Sequence, residues 1–134
     1  MTVLLDVNIL IACAWSKHPL HLQANRWLDR CESFATSAIT EMGFLRVSMS
    51  PAYGAVFAEA QIALRDITAL SAHRFIHDAT RATTLSPDIV SRHDVTDAHL
   101  ISLAKSHRLH LATFDEVLCA KPWAKGIATH PLKR

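Results

Sequence analysis

The chain has 134 residues, half of them hydrophobic and 19% charged. That suits one compact domain, 1–134, with a buried core, and it excludes intrinsic disorder. Lys and Arg total 14 against 12 Asp and Glu, a formal net charge of +2, so overall charge would not hold nucleic acid and any such contact needs a local patch.

Thr2–Leu5 is an apolar run ending at Asp6, as expected of a strand buried on both faces. A helix is expected over Val7–Ala14, and a second from Pro19, with Leu20, Ala24, Trp27 and Leu28 at helical spacing as far as Cys31. Ser33–Thr36 reads as a second strand. Ser37 is placed to cap a third helix carrying Ile39, Met42, Phe44 and Leu45 and ending before Pro51. A loop over 51–57 leads to a fourth helix over 58–70, and 74–77 reads as a third strand. Between 78 and 94 the pattern is weak, with Ser86 and Pro87 expected to open a short helical turn. Thr96 is the expected N-cap of a helix over 97–107 with Leu100, Ile101, Leu103 and Ala104 as its apolar stripe. A strand over 109–113, a short helix over 115–120 and an edge strand over 126–129 complete the chain. This alternation predicts an α/β fold with a mostly parallel central sheet of about five strands and helices on both faces.

Cys13, Cys31 and Cys119 are odd in number and lack CxxC spacing. They argue against a disulfide scaffold or zinc finger and fit reduced thiols in a cytoplasm. With only three glycines there is no Gly-rich phosphate loop. No segment reads as a signal peptide, and the apolar run 3–15 is interrupted by Asp6 and Asn8 and too short to span a bilayer.

Four acids fall where a core-and-surface reading explains them poorly. Asp6 follows the first strand and Asp115 the fourth. Asp97 lies in a first helical turn, and Glu41 within the first turn or two of its own helix. Ligands of open α/β sheets bind beyond the carboxyl ends of the strands, where helix N-termini also gather. Acids gathered there repel one another unless a hard divalent cation neutralises them. Mg²⁺ or Mn²⁺ so held can activate water and steady a leaving oxygen, which is the chemistry of phosphodiester hydrolysis. Asn8 and Thr113 add short polar groups able to hold a carboxylate. Taken singly, each of these residues is an ordinary cap; the combination carries the reading.

Four stretches resemble the motifs of PIN domains: LLDVNIL at 4–10, TEMGFLR at 40–46, VTDAHLISLA at 95–104 and LATFD at 111–115. Within that family the chain looks like a VapC-type toxin of a VapBC toxin–antitoxin module. Trp15, His18, His21, Ala24, Trp27 and Leu28 are similar to one subgroup. The resemblance implies a PIN-like α/β/α sandwich and an endoribonuclease dependent on Mg²⁺ or Mn²⁺. Asp6, Glu41, Asp97 and Asp115 would be its catalytic and metal-holding residues. It further implies a homodimer, a cognate VapB-type antitoxin covering the acidic groove, and a substrate loop in tRNA or ribosomal RNA. One departure stands out. Where many PIN domains carry a glycine before the last motif, this chain has His107, Arg108 and Leu109, which leads us to expect a different turn there.

Among other residues, Arg46, Lys17 and His18 are the expected RNA contacts, with Arg26, Arg81 and Arg92 as further basic candidates. His18 and His21 lack the third ligand of a zinc site. His73 and His77 read as structural. Trp15 and Trp27 suit core or dimer packing better than base stacking, and Ile62, Leu64, Ile67 and Leu70 suit a core or interface. A haloacid-dehalogenase-type phosphatase would need an aspartate where Asn8 stands. A receiver domain would need paired early acids. A non-catalytic PIN-fold module that grips RNA or protein is the remaining alternative.

Overall fold

The computed structural model describes residues 2–133. Five strands, β1 (Thr2–Leu5), β2 (Ser33–Thr36), β3 (His73–Phe75), β4 (His110–Ala112) and β5 (Ala128–Thr129), form one sheet in the order β3-β2-β1-β4-β5, and every neighbouring pair is parallel. Around it lie α1 (Val7–Ala14), α2 (His21–Asp29), α3 (Ala38–Ser48), α4 (Phe57–Thr68), α5 (Val95–Ser106) and α6 (Glu116–Ala120). The expected five strands and flanking helices are all present, and the sheet is wholly parallel.

Alternating side chains show why the central strands carry apolar residues on both faces. Leu5, Phe34 and Ala112 enter one core with Ile9 and Leu10 of α1, Phe44 of α3, and Leu64 and Ile67 of α4. Their neighbours Leu4, Ala35 and Leu111 enter a second core with Leu100, Leu103 and Ala104 of α5 and Leu118 of α6. A strand covered on both faces has no solvent side, so the polar residues it carries, Ser33 and Thr36 of β2, are buried with hydrogen-bond partners. Each fully buried leucine here contributes about 1.5–3 kcal/mol relative to exposure. Leu64 and Ile67 are core, whereas Ile62 and Leu70 are exposed. Trp15 stacks on Phe44 at 6.3 Å and donates its indole N–H to Ser48 Oγ at 2.9 Å, and Trp27 packs beside the first core. Both tryptophans are thus structural.

Helix starts follow local chemistry. Ser37 Oγ accepts from the Thr40 N–H at 3.4 Å while the Ser37 N–H donates to Thr40 Oγ1 at 2.9 Å, a reciprocal cap that fixes α3. Where α3 crosses α1, a Cβ on Gly43 would stand 2.6 Å from Val7 Cγ2, so the approach requires glycine. Thr96 is not the N-cap expected of it. A 3₁₀ turn (Arg92–Asp94), opened by Ser91 Oγ accepting from the His93 N–H at 3.2 Å, runs directly into α5 at Val95 and places Thr96 inside the helix. Ser86 and Pro87 open a single turn instead of a helical one, and a 3₁₀ turn (Ala82–Thr84) lies just before it.

A left-handed residue makes the turn before the last motif. Arg108 takes φ 58°, the left-handed conformation a glycine would supply. Its N–H donates to the Lys105 carbonyl at 3.1 Å, and the Leu109 N–H to the Ala104 carbonyl at 2.8 Å, which together close α5. A side chain in this conformation is strained by about 1–2 kcal/mol. Arg108→Gly is therefore expected to raise stability by roughly 0.5–1 kcal/mol, net of the extra chain entropy of glycine. The midpoint of urea unfolding reads this directly. A midpoint below the parent's would mean that contacts of the arginine side chain outweigh the strain.

Candidate active site

Asp6 ends β1 and begins α1. Its N–H donates to the Ala112 carbonyl of β4 at 2.9 Å, so the chain leaves the sheet beside the end of the neighbouring strand. Its Oδ1 accepts from the Val7 N–H at 2.8 Å and its Oδ2 from Thr113 Oγ1 at 2.8 Å. The Thr113 hydroxyl is saturated: it gives its one proton to Asp6 and accepts from Asn8 Nδ2 and the Asp115 N–H, both at 3.1 Å. Asn8 Oδ1 in turn accepts from the Phe114 N–H at 3.2 Å. The two supporting residues expected from the sequence thus tie the loop after β1 to the loop after β4. Asp115 caps α6, its Oδ1 accepting from the Leu118 N–H at 3.0 Å.

A cavity of about 330 Å³ opens at this edge, lined by Asp6, Asn8, Asp97, Asp115, His18, Tyr53 and the apolar Val7, Ile11 and Val47. Three carboxylates face it, and among the described residues no lysine or arginine does. A larger hollow of about 440 Å³ beside α6, lined by Glu116, Val117, Ala120, Lys121 and Pro122, gathers no set of acids. Asp97, in the first turn of α5, has no hydrogen-bond or ion-pair partner among the described residues. Burial pushes its carboxyl up to about 6, and the charges of Asp6, Asp115 and Asp94 add to the shift. Asp6 is also raised, by burial first and then by Asp115, against the hydrogen bonds from Thr113 and Val7. The cluster therefore carries more negative charge than its surroundings neutralise.

The fourth acid is placed differently. Glu41, in the first turn of α3, is not among the cavity-lining residues; its Oε2 accepts from Thr36 Oγ1 at 2.6 Å, at the end of β2. Four acids were expected at one spot, and three meet there, with Glu41 anchored two strand-ends away from Asp115. Arg46 and Lys17 are exposed and outside the cavity lining. His18 does line it. Its Nδ1 accepts from the Leu20 N–H at 3.0 Å, and burial followed by His21 lowers its pKa, so a neutral ring keeps its hydrogen on Nε2. His21 instead ties α2 to α1 through the Ala12 carbonyl at 2.7 Å. Tyr53 was not legible as a site residue. It sits in the loop between α3 and α4, and nothing in its local sequence marks it.

Oxygen donors of this kind suit a hard cation. Among the described residues, however, no three His, Cys, Asp or Glu side chains form a ready-made ligand set for one ion. Mg²⁺ uses one or two carboxylates and keeps its waters, so it does not require such a set.

The sequence model of the PIN domain matches residues 3–124. The chain belongs to the PIN domain family. This PIN domain is 40% identical over 127 residues to Ribonuclease VapC39 of Mycobacterium tuberculosis, covering 88% of this chain and 91% of that one. It is 39% identical over 120 residues to Ribonuclease VapC38 of the same organism, covering 84% of each. Its fold is similar to that of VapBC2 from Rickettsia felis, solved with a DNA fragment of the promoter (TM-score 0.66, 18% identity, 97% of this chain and 98% of that one). It is likewise similar to that of M. tuberculosis VapC20, described as a sarcin-ricin loop cleaving toxin (TM-score 0.63, 14% identity, 84% and 89%). The α/β/α sandwich expected from the motifs is thus the fold of solved VapC chains.

Proposed function

We propose that this PIN domain is a VapC-type toxin, an endoribonuclease that depends on Mg²⁺ or Mn²⁺ and hydrolyses RNA phosphodiesters. The observation that carries the reading is half-buried Asp97, with no hydrogen-bond or ion-pair partner among the described residues, beside Asp6 and Asp115 in a cavity that no described lysine or arginine lines. An enzyme keeps such costly charge where a ligand compensates it. The ribonuclease names of relatives at 39–40% identity support the choice of RNA.

Asp6, Asp97 and Asp115 would hold the ion, with Glu41 as the fourth acid of the same sheet edge. When bound, the ion supplies positive charge for a phosphate oxygen and lowers the pKa of water. Thr113 and Asn8 keep Asp6 and the 113–115 loop in register, so the carboxylates do not reorganise as substrate arrives. The Nε2–H of neutral His18 is a donor for a phosphate oxygen or a base, and Tyr53, Ile11 and Val47 form the apolar wall against which a nucleotide packs. Exposed Lys17 and Arg46 add phosphate contacts outside the cavity. A homodimer, a cognate VapB-type antitoxin covering the acids, a tRNA or ribosomal RNA loop as substrate and a cytoplasmic location complete the proposal. Among the described residues no helix is long and apolar enough to cross a membrane.

The test is incubation of the purified protein with total cellular RNA in Mg²⁺, in Mn²⁺ and in EDTA. Discrete fragments are expected with either metal and none with EDTA. Cleavage that persists in EDTA would remove the metal from the reaction, and RNA binding without cleavage in any buffer would favour a binding module.

A further inference from the structure

Thr36 is fully buried at the last position of β2. Its hydroxyl lies 2.6 Å from Glu41 Oε2 and 2.7 Å from His73 Nε2 on β3. A hydroxyl has one proton to donate and no water reaches this one. If that proton goes to an ionised Glu41, the ring must donate, and His73 is fixed as the Nε2–H form. Burial lowers the pKa of His73, and Glu41 and a hydrogen bond to the Thr68 backbone oppose that shift. The ring is held from the side by Phe34 at 5.5 Å. Both flanks of the bridge are rigid. Thr36 is paired with Phe75, its carbonyl accepts from the Ile76 N–H at 2.9 Å, and the cap that fixes the start of α3 joins Ser37 to Thr40, the residue before Glu41. The pairing of Leu4 with Ala35 puts Thr36 at the level of Leu5, one residue from Asp6. Glu41 Oε1 has no partner among the described residues.

We propose that Thr36 and His73 are positioning residues for Glu41: a buried His73–Thr36–Glu41 hydrogen-bond chain holds one carboxylate oxygen at the end of β2 and leaves the other for the reaction. This rests on reading Glu41 as an acid of the nuclease site. The chain spends the single proton of Thr36 in a direction that only the Nε2–H ring permits, so it orients as well as anchors.

Kinetics of RNA cleavage in Mn²⁺ and the imidazole ¹⁵N spectrum of metal-free protein test it together. Thr36→Val, which keeps the shape and loses the hydroxyl, is expected to lower kcat about 10-fold or more with little change in KM. Thr36→Ser recovers most of that loss. His73→Gln, which keeps an N–H donor at the Nε2 position, is expected to lose less than His73→Ala. Thr36→Val combined with Glu41→Gln is expected to be no slower than Glu41→Gln alone, whereas a merely structural role would multiply the two losses. The parent spectrum should show His73 hydrogen on Nε2. A parent His73 with its hydrogen on Nδ1, or a Thr36→Val protein that cuts at full speed while Glu41→Gln is slow, overturns the proposal. Full-speed cleavage by Glu41→Gln would instead overturn the nuclease role of Glu41, and the proposal with it, even with the Nε2–H signal in place.

Discussion

Asp97→Asn is expected to reduce RNA cleavage by about a hundredfold to a thousandfold, the scale on which one preorganised electrostatic group contributes, while leaving the fold intact. The substitution keeps shape and removes charge. It breaks no hydrogen bond, because the Asp97 carboxylate has no such partner among the described residues and interacts with Asp6, Asp115 and Asp94 through charge alone. Asp6→Asn is expected to lose activity on the same scale but is a less clean probe. Asp6 accepts from both the Val7 N–H and Thr113 Oγ1, and an amide offers one acceptor where the carboxylate offered two. A mispaired Thr113 would then disturb Asn8 and the Asp115 N–H as well. Initial rates on a defined RNA in Mg²⁺ and Mn²⁺, with circular dichroism of each variant, decide the matter. Parent-like cleavage by folded Asp97→Asn protein would take Asp97 out of the site.

The same substitution is expected to stabilise the metal-free protein at neutral pH. Asp97 titrates at about 6 in the fold against an ordinary 3.8. Below about pH 4 the carboxyl is protonated whether the chain is folded or not, and it costs nothing. As pH rises through 3.8 the unfolded chain ionises while the folded one still holds its proton, so stability falls, and the loss is complete above about pH 6. Raised Asp6 acts in the same direction. The Asp97 shift would be worth about 3 kcal/mol on a fully buried group; screening at this half-buried position reduces it to roughly 1 kcal/mol. Asp97→Asn should therefore melt about 3–5 °C higher than the parent at pH 7 without metal, with little difference near pH 4. Mn²⁺ should raise the parent's Tm at pH 7, by an amount that grows with concentration as binding to the folded state requires, and raise it less at pH 5, where the ligands are partly protonated. Differential scanning calorimetry across pH 4–7, with and without Mn²⁺, measures both effects. If Asp97→Asn is no more stable than the parent at pH 7, or Mn²⁺ leaves the parent's Tm unmoved, the burial and repulsion of this carboxylate are not what prepares the site.

Several features were legible because they depend on short stretches of chain. Strands buried on both faces lose the polar–apolar alternation, so Thr2–Leu5 and Ser33–Thr36, whose buried Ser33 and Thr36 hydroxyls are hydrogen-bonded, were readable at their true bounds. Ser37 was readable as a cap because its partner Thr40 is three residues away. Asp6 and Asp115 stood out as acids after apolar strands, and parallel pairing of β1 with β4 brings them to one edge. Where neighbours in sequence were misleading, the misreading was also local. Thr96 looks like an N-cap, but the chain enters α5 already turning through Arg92–Asp94. At Arg108 the hydrogen bonds of Leu109 and Arg108 back into α5 outweigh the strain of its left-handed backbone.

By itself, then, the sequence determined the order of strands and helices, the parallel sheet and which acids stand at its carboxyl edge, since each follows from periodicity and capping within a few residues. Only the tertiary structure decided that Asp6, Asp97 and Asp115 share a cavity while Glu41 is drawn to Thr36, that Tyr53 joins that cavity, and that Asp97 is left without a hydrogen-bond or ion-pair partner among the described residues. Those outcomes depend on burial and on distant partners: Thr36, though close to Glu41 in the chain, is held by His73, 37 residues on, and Asp6 by Thr113, 107 residues on. No local pattern encodes the desolvation of a carboxylate or the direction in which a buried hydroxyl spends its one proton.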